Sequence, residues 1–318
     1  MSPAYEVKEV LYEGYPALTL IDGGSELEAT YAPGIGMIGC SLLHAGDELL
    51  GQRSGLARYE ATGSTMGIPL LHPWANRLSQ LSYAAAGRRV DLDPDSPLVR
   101  KDPNGLPIHG LVAASPYWEV IGADADPIAA RLSARLDYGA HREYLEGFPY
   151  PHELRIDVVL RAGAMAIRTV LTATGNLAVP LSFGYHPYFQ LPNVSRDKWH
   201  VEIPATEHLL VDERMIPTGE TEQGAIEPDV LGEREFDDAY TGLGERPLFV
   251  LAGGGRRIVV EFLGGYPYAL VYTPDDQDAV SFEPMTAPAN ALVSGQDLQL
   301  VPPGESRSAA FSIAVERA

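Results

Sequence analysis

Apolar residues in this chain recur at every second position far more often than at every third or fourth. In Leu154-Arg155-Ile156-Asp157-Val158 they alternate strictly with charged residues, the pattern of a half-buried strand. After Ala162-Gly163 the alternation resumes from Ala164 to Thr172, with Met165, Ile167, Thr169 and Leu171 on one face and Ala166, Arg168, Val170 and Thr172 on the other. The pair predicts a β-hairpin. Further strands are expected over Ala17 to Ile21, Leu27 to Tyr31, Ala130 to Asp137, Ile258 to Phe262, Tyr268 to Tyr272, Ala279 to Phe282 and Ser308 to Val315. Turn chemistry such as Asp22-Gly23-Gly24 and Gly253-Gly254-Gly255 separates them. No apolar stripe of helical period lasts three turns, and Gly51 to Tyr59 alone is expected to form a short helix. Pro192 to Arg196 and Thr218 to Gly232 read as surface loops. The chain shows no composition break and no repeat, which predicts one all-β domain over residues 1–318, a large antiparallel β-sandwich.

Composition narrows the function classes. The 318 residues include 32 Gly and 26 Pro, in keeping with frequent turns. The 43 acidic against 23 basic residues give a net charge of −20. Such a field repels phosphate backbones and anionic surfaces, so nucleic acid and membrane are not expected partners. Cys40 is the single cysteine, which leaves no internal disulfide and no cysteine-rich metal cluster. Met1 to Val10 has no apolar signal region, and a cytoplasmic protein is expected.

Familiar catalytic signatures are missing. There is no phosphate-binding loop, no Gly-x-Ser-x-Gly elbow and no dinucleotide fingerprint. His152-Glu153 begins like a zinc-protease helix, but Ile156 stands where the second histidine belongs and the context is a strand. No metal ligand is assigned.

Five short segments have chemistry that strands and turns do not require. In the first, Trp74-Ala75-Asn76-Arg77 ends an apolar run; Asn76 donates and accepts, Arg77 offers a fork of donors, and Trp74 offers a flat apolar face. That set suits a sugar. His109-Gly110 sets an imidazole beside a residue that lets the backbone approach closely. In Tyr185-His186-Pro187-Tyr188-Phe189 the imidazole sits between tyrosines and before a proline, which biases it to an extended, aimed conformation. Glu283 ends an apolar strand between Phe282 and Pro284, where partial desolvation raises a carboxyl toward the range of a general base. Phe236-Asp237-Asp238-Ala239-Tyr240 supplies carboxylates beside aromatics, suited to vicinal hydroxyls. Each has a plain structural alternative, and His44, His141, His152, His200 and His208 are read as structural; His72 stays ambiguous beside the first segment.

Taken in order, Asn76-Arg77, Ile108-His109-Gly110, Tyr185-His186-Pro187-Tyr188-Phe189, Phe236-Asp237-Asp238-Ala239-Tyr240 and Phe282-Glu283-Pro284 resemble the aldose 1-epimerase (galactose mutarotase) family across nearly the whole chain. The resemblance implies a supersandwich with an open sugar cleft, no metal and no organic cofactor. It implies interconversion of the α and β anomers of a free sugar, with His186 as general acid and Glu283 as general base facing one another across the sugar ring. Arg77, His109 and Asp237 match positions that hold hydroxyls and the ring oxygen, and Asn76 accompanies the arginine; Trp74 and Tyr188 are expected to contact the sugar as well. Pro187 and Pro284-Met285 depart from the best-known galactose mutarotases, which points to a broader branch of the family. A neutral aldose is the expected substrate, because Arg77 is the one basic residue the motifs supply. A hexose-phosphate epimerase with further basic residues is the second enzyme reading. A non-catalytic sugar sensor would not need both His186 and Glu283, and a glycoside hydrolase would use two carboxyls with no histidine between them.

Overall fold

The computed structural model describes residues 4–317. Its strands form antiparallel ladders in three large sheets and two small ones. A five-stranded meander runs in chain order from Tyr5–Tyr12 to Asp47–Glu48. A nine-stranded sheet has the hairpin His152–Arg161 and Ala164–Ala173 near its middle, flanked by Ser306–Arg317 and Ala129–Asp137. An eight-stranded sheet carries Asp237–Thr241, Tyr268–Tyr272 and Val280–Met285 side by side, with Gly184–Tyr185 and Tyr188–Phe189 both paired to Val280–Met285. The fold is an all-β antiparallel sandwich.

Alternation explains the layering. Leu154, Ile156, Val158 and Leu160 of one sheet and Val280 and Phe282 of another belong to the same buried core, which also takes in Leu20 and Val315. Aromatic rings close the gap between sheets: Phe249 lies 5.4 Å from Phe282, and Tyr185 lies 5.1 Å from Phe311, centroid to centroid. Because successive side chains point to opposite faces, Ser281, Glu283 and Met285 must turn away from the core that holds Phe282. A second apolar cluster lies on that other face, with Leu71, Ala75, Leu209, Ala239, Tyr268, Leu270 and Met285. Glu283 therefore rises from a strand with apolar packing on both faces.

The expected strands all appear, and the differences have physical reasons. The short helix spans Gly55–Thr62 and not Gly51 to Tyr59, because Arg53 adopts φ 43°, a left-handed conformation that a right-handed helix excludes. Thr218 to Gly232 is not all loop: it contains most of the strand Pro217–Gln223 and the strand Asp229–Val230. Both are outermost in their sheets and exposed, so no buried face imposes the alternation by which strands are recognised. Arg142–Gly147 adds a six-residue helix, too short to show a stripe. No helix among the described residues is long and apolar enough to cross a membrane.

Candidate active site

Four chain segments meet at the outward face of the eight-stranded sheet. Backbone bonds lock them together: Arg77 pairs with Ile108 and Trp74 with Ser182 in isolated bridges, the His109 N–H donates to the Asn76 carbonyl at 3.0 Å, and the Asn290 N–H donates to the Arg77 carbonyl at 2.8 Å. Gly110 belongs to this lattice for a steric reason. At φ 74° a Cβ there would lie 2.0 Å from the His72 carbonyl oxygen. The glycine after His109 thus admits a neighbouring backbone.

At the centre, His186 Nε2 stands 3.1 Å from Glu283 Oε1. The strand Val280–Met285 sets both ends of this contact, since Ser281, two residues before Glu283 and on the same face, meets His186 Nδ1 at 3.1 Å. The imidazole is packed parallel to the Tyr188 ring at 4.4 Å, edge-on to His109 at 5.4 Å and edge-on to Tyr272 at 5.7 Å. Tyr188 Oη bonds to Thr65 Oγ1 at 2.7 Å, lies 3.3 Å from His186 Nε2 and receives Arg53 Nη1 at 3.4 Å. The two groups expected to face one another across a pyranose lie side by side. They touch directly, and Glu283 is 0% and His186 5% exposed.

Burial sets the electrostatics. It pushes the Glu283 carboxyl well above the ordinary range; the Asp237 charge adds to this and Arg77 opposes it. Burial pulls His186 down to about 3, reinforced mainly by the Arg53 charge. His109 is likewise held well below its usual value by burial, with His186 and Arg100 contributing. Asp237, half-buried, is raised by burial against the opposing pull of Arg77. Both shifts favour the uncharged form of each group.

The remaining expected residues divide into two groups. Arg77, His109 and Asp237 are partly exposed and border the pair. Arg77 Nε donates to Asp102 Oδ2 at 2.9 Å, and its Nη2 lies 3.8 Å from Asp237 Oδ2. Asn76, Tyr188 and Trp74 do not offer the surfaces expected of them. Asn76 takes φ 56° and spends Oδ1 on the Arg77 backbone N–H at 2.7 Å and on the guanidinium at 3.3 Å, so it aims Arg77. Tyr188, 1% exposed, braces His186. Trp74, also 1% exposed, lies in the main core and presents no face to a ligand. His72 is equally internal, with Nε2 2.8 Å from His152 Nε2.

Sequence reading missed Arg53, Asp102, Ser281, Tyr272 and Arg100. Alternation could have found two of them. Ser281 shares the Glu283 face, and Tyr272 is its cross-strand partner. Asp102, whose Oδ1 accepts from the backbone N–H groups of Asn104 and Leu106, reads only as a turn residue. Among the described residues no cluster of three or more His, Cys, Asp or Glu is arranged to hold a metal ion.

Against known proteins, the family model described as aldose 1-epimerase matches residues 40–314. The chain belongs to the aldose 1-epimerase family. Its backbone superposes on a galactose mutarotase-like protein from Clostridium acetobutylicum with a TM-score of 0.86, at 18% identity and 99% coverage of both chains. A galactose 1-epimerase from Lactobacillus acidophilus NCFM gives a TM-score of 0.78 at 14% identity, again covering 99% of each. In sequence, the uncharacterized protein YihR of Escherichia coli K12 is 23% identical over 266 residues, 79% of this chain and 81% of that protein. This aldose 1-epimerase family member shares the sandwich of those structures and carries the His186–Glu283 contact on it.

Proposed function

We propose that the chain is an aldose 1-epimerase that interconverts the α and β anomers of a free aldose through Glu283 and His186. The observation that carries the reading is the unpartnered carboxyl of Glu283. Both oxygens are buried without a hydrogen bond from any described residue, and the nearest imidazole nitrogen lies 3.1 Å away. A buried polar atom left unpaired costs about 1–3 kcal/mol, and hydroxyls of a sugar would satisfy both oxygens.

In the forward direction Glu283 takes the proton of the C1 hydroxyl while His186 gives one to the ring oxygen. The C1–O5 bond breaks and the aldehyde forms. Rotation about C1–C2 presents the other carbonyl face, and the reverse transfers close the ring. These roles need the proton on the imidazole and not on the carboxyl. Sugar hydroxyls bonded to the carboxylate would favour that assignment. Arg77, His109 and Asp237, on the partly exposed side, would hold the sugar hydroxyls. The names of the superposed galactose mutarotase-like protein and galactose 1-epimerase agree with this reaction. A sugar sensor would have no use for a strand-end carboxyl forced against an imidazole. In a hydrolase the second carboxyl, Asp237, would need to be free, and here it faces Arg77.

Polarimetry on freshly dissolved α-anomers of glucose, galactose and further aldoses tests the proposal. Wild type should speed relaxation of at least one sugar, and His186→Ala and Glu283→Ala should not. A wild type that binds sugar without speeding relaxation contradicts the reading in favour of a sensor. Cleavage of a glycoside without relaxation contradicts it in favour of hydrolysis.

A further inference from the structure

Three arginines crowd this site, and two are balanced. Arg77 is held by Asp102 at 2.9 Å, and Arg53 by Asp276 at 2.8 Å. Arg100 is different. Among the described residues it has no carboxylate partner, and its Nε and Nη2 are buried with no hydrogen bond. A guanidinium is not relieved by losing its proton, so two of its nitrogens left buried and unpaired are costly unless an anion reaches the group.

The fold goes to some length to hold this side chain in place. The Arg100 carbonyl accepts from the Ile108 N–H at 3.0 Å, which ties it to the segment that carries His109. Its stem passes under the end of the Gly55–Thr62 helix, where Gly63 takes φ 63° and a Cβ would lie 2.8 Å from Arg100 Cδ. From there its charge acts on His109, His186 and Tyr188. Arg53 reaches the Tyr188 hydroxyl with Nη1 at 3.4 Å. The expectation of a neutral sugar rested on Arg77 being the single basic residue at the cleft, and these two remove that premise.

We propose that Arg100, assisted by Arg53, is an anion-holding subsite, and that the aldose this chain acts on carries an acidic substituent such as a carboxylate, sulfate or phosphate. The inference rests on the mutarotase reading for its reaction and on Arg100 for its substrate class. The net charge of −20 is no obstacle, because a half-buried guanidinium acts at contact distance while remote surface charges are screened by salt.

The test compares glucose with glucuronate, glucose 6-sulfate and glucose 6-phosphate by anomer relaxation in wild type, Arg100→Met and Arg100→Lys. One acidic sugar should exceed glucose in kcat/KM by about 10- to 100-fold, the range of a charge-assisted hydrogen bond, and the best of the three identifies the anion. Arg100→Met should bring the ratio of acidic to neutral sugar close to one, and Arg100→Lys should keep part of it. Equal or better turnover of glucose by wild type overturns the subsite and leaves the mutarotase reading standing. If no sugar relaxes faster, that reading fails and calorimetry on the same four sugars decides the subsite. Binding of an acidic sugar that weakens at least about 10-fold in Arg100→Met supports it; no preference for the acidic sugars overturns it.

Discussion

Two buried imidazole contacts lie in this sandwich, and they differ in their company. His72 and His152 meet Nε2 to Nε2 at 2.8 Å inside a box of Tyr138, Phe148 and Phe183. His152 Nδ1 bonds to the Tyr150 carbonyl at 2.6 Å, which assigns that nitrogen the proton and leaves Nε2 as the acceptor from His72. No carboxylate or arginine takes part. His186 and Glu283 meet at nearly the same separation, but Arg53, Arg77 and Asp237 act on them and half-exposed groups border them. The first imidazoles are buried among aromatic rings alone, whereas His186 is buried against a carboxyl, beside charges and partly exposed groups. The first pair is enclosed by aromatic rings, and the second is the one we propose for the chemistry.

The largest effect that would separate the two pairs is on rate. Glu283→Gln keeps shape and removes the base, so relaxation by the enzyme should fall about 10²- to 10⁴-fold, with a melting temperature close to that of wild type because the amide fills the same space. His152→Ala should do the opposite. It leaves a cavity and an unpaired His72 nitrogen, costing about 2–4 kcal/mol of stability, while the rate per folded molecule changes little. Thermal denaturation and polarimetry on the same samples check both.

Stability against pH sharpens the contrast. Burial lowers His152 to about 4 in the folded protein, against about 6.5 in an unfolded chain. A depressed histidine binds its proton less readily when folded. Its contribution is therefore complete above pH 6.5 and is lost as the pH falls from there through 4, amounting to about 3 kcal/mol. Urea titrations of wild type and His152→Leu between pH 7 and 4 should converge as the pH falls. Smallest is the effect of Tyr188→Phe. Loss of the hydroxyl that links Thr65, Arg53 and His186 should reduce turnover about 3- to 10-fold, in line with one net hydrogen bond of about 1 kcal/mol.

Much of this was readable from residues. Alternation located the hairpin of Leu154 and Met165, which has one face against the core, and short apolar runs bounded by turns located the strands that carry Glu283 and Tyr272, buried on both faces. The same rule was blind to Pro217–Gln223, which has no buried face. For the site, His186 and Glu283 stood out as polar residues caged by aromatics and prolines. Trp74 and Tyr188 could not be separated from sugar-stacking aromatics, since composition does not tell which side of a sheet a ring packs against. Arg53 and Arg100 carried no local signal; their meaning depends on neighbours brought in by the fold, as Arg53 with Tyr188 illustrates at a separation of 135. The proton balance of Glu283 was legible in direction only, because desolvation was foreseen and the absence of compensating hydrogen bonds was not.

The central claim is that His186 and Glu283 act as one proton-carrying unit. The direct test is a double-mutant cycle on anomer exchange, followed by magnetisation transfer in a sugar labelled with carbon-13 at C1, using His186→Asn, Glu283→Gln and the double variant. Groups that work as a unit lose nearly everything with the first substitution, so the double variant should be no slower than the slower single one. Losses that multiply, or a single variant that exchanges anomers at the wild-type rate, would contradict it.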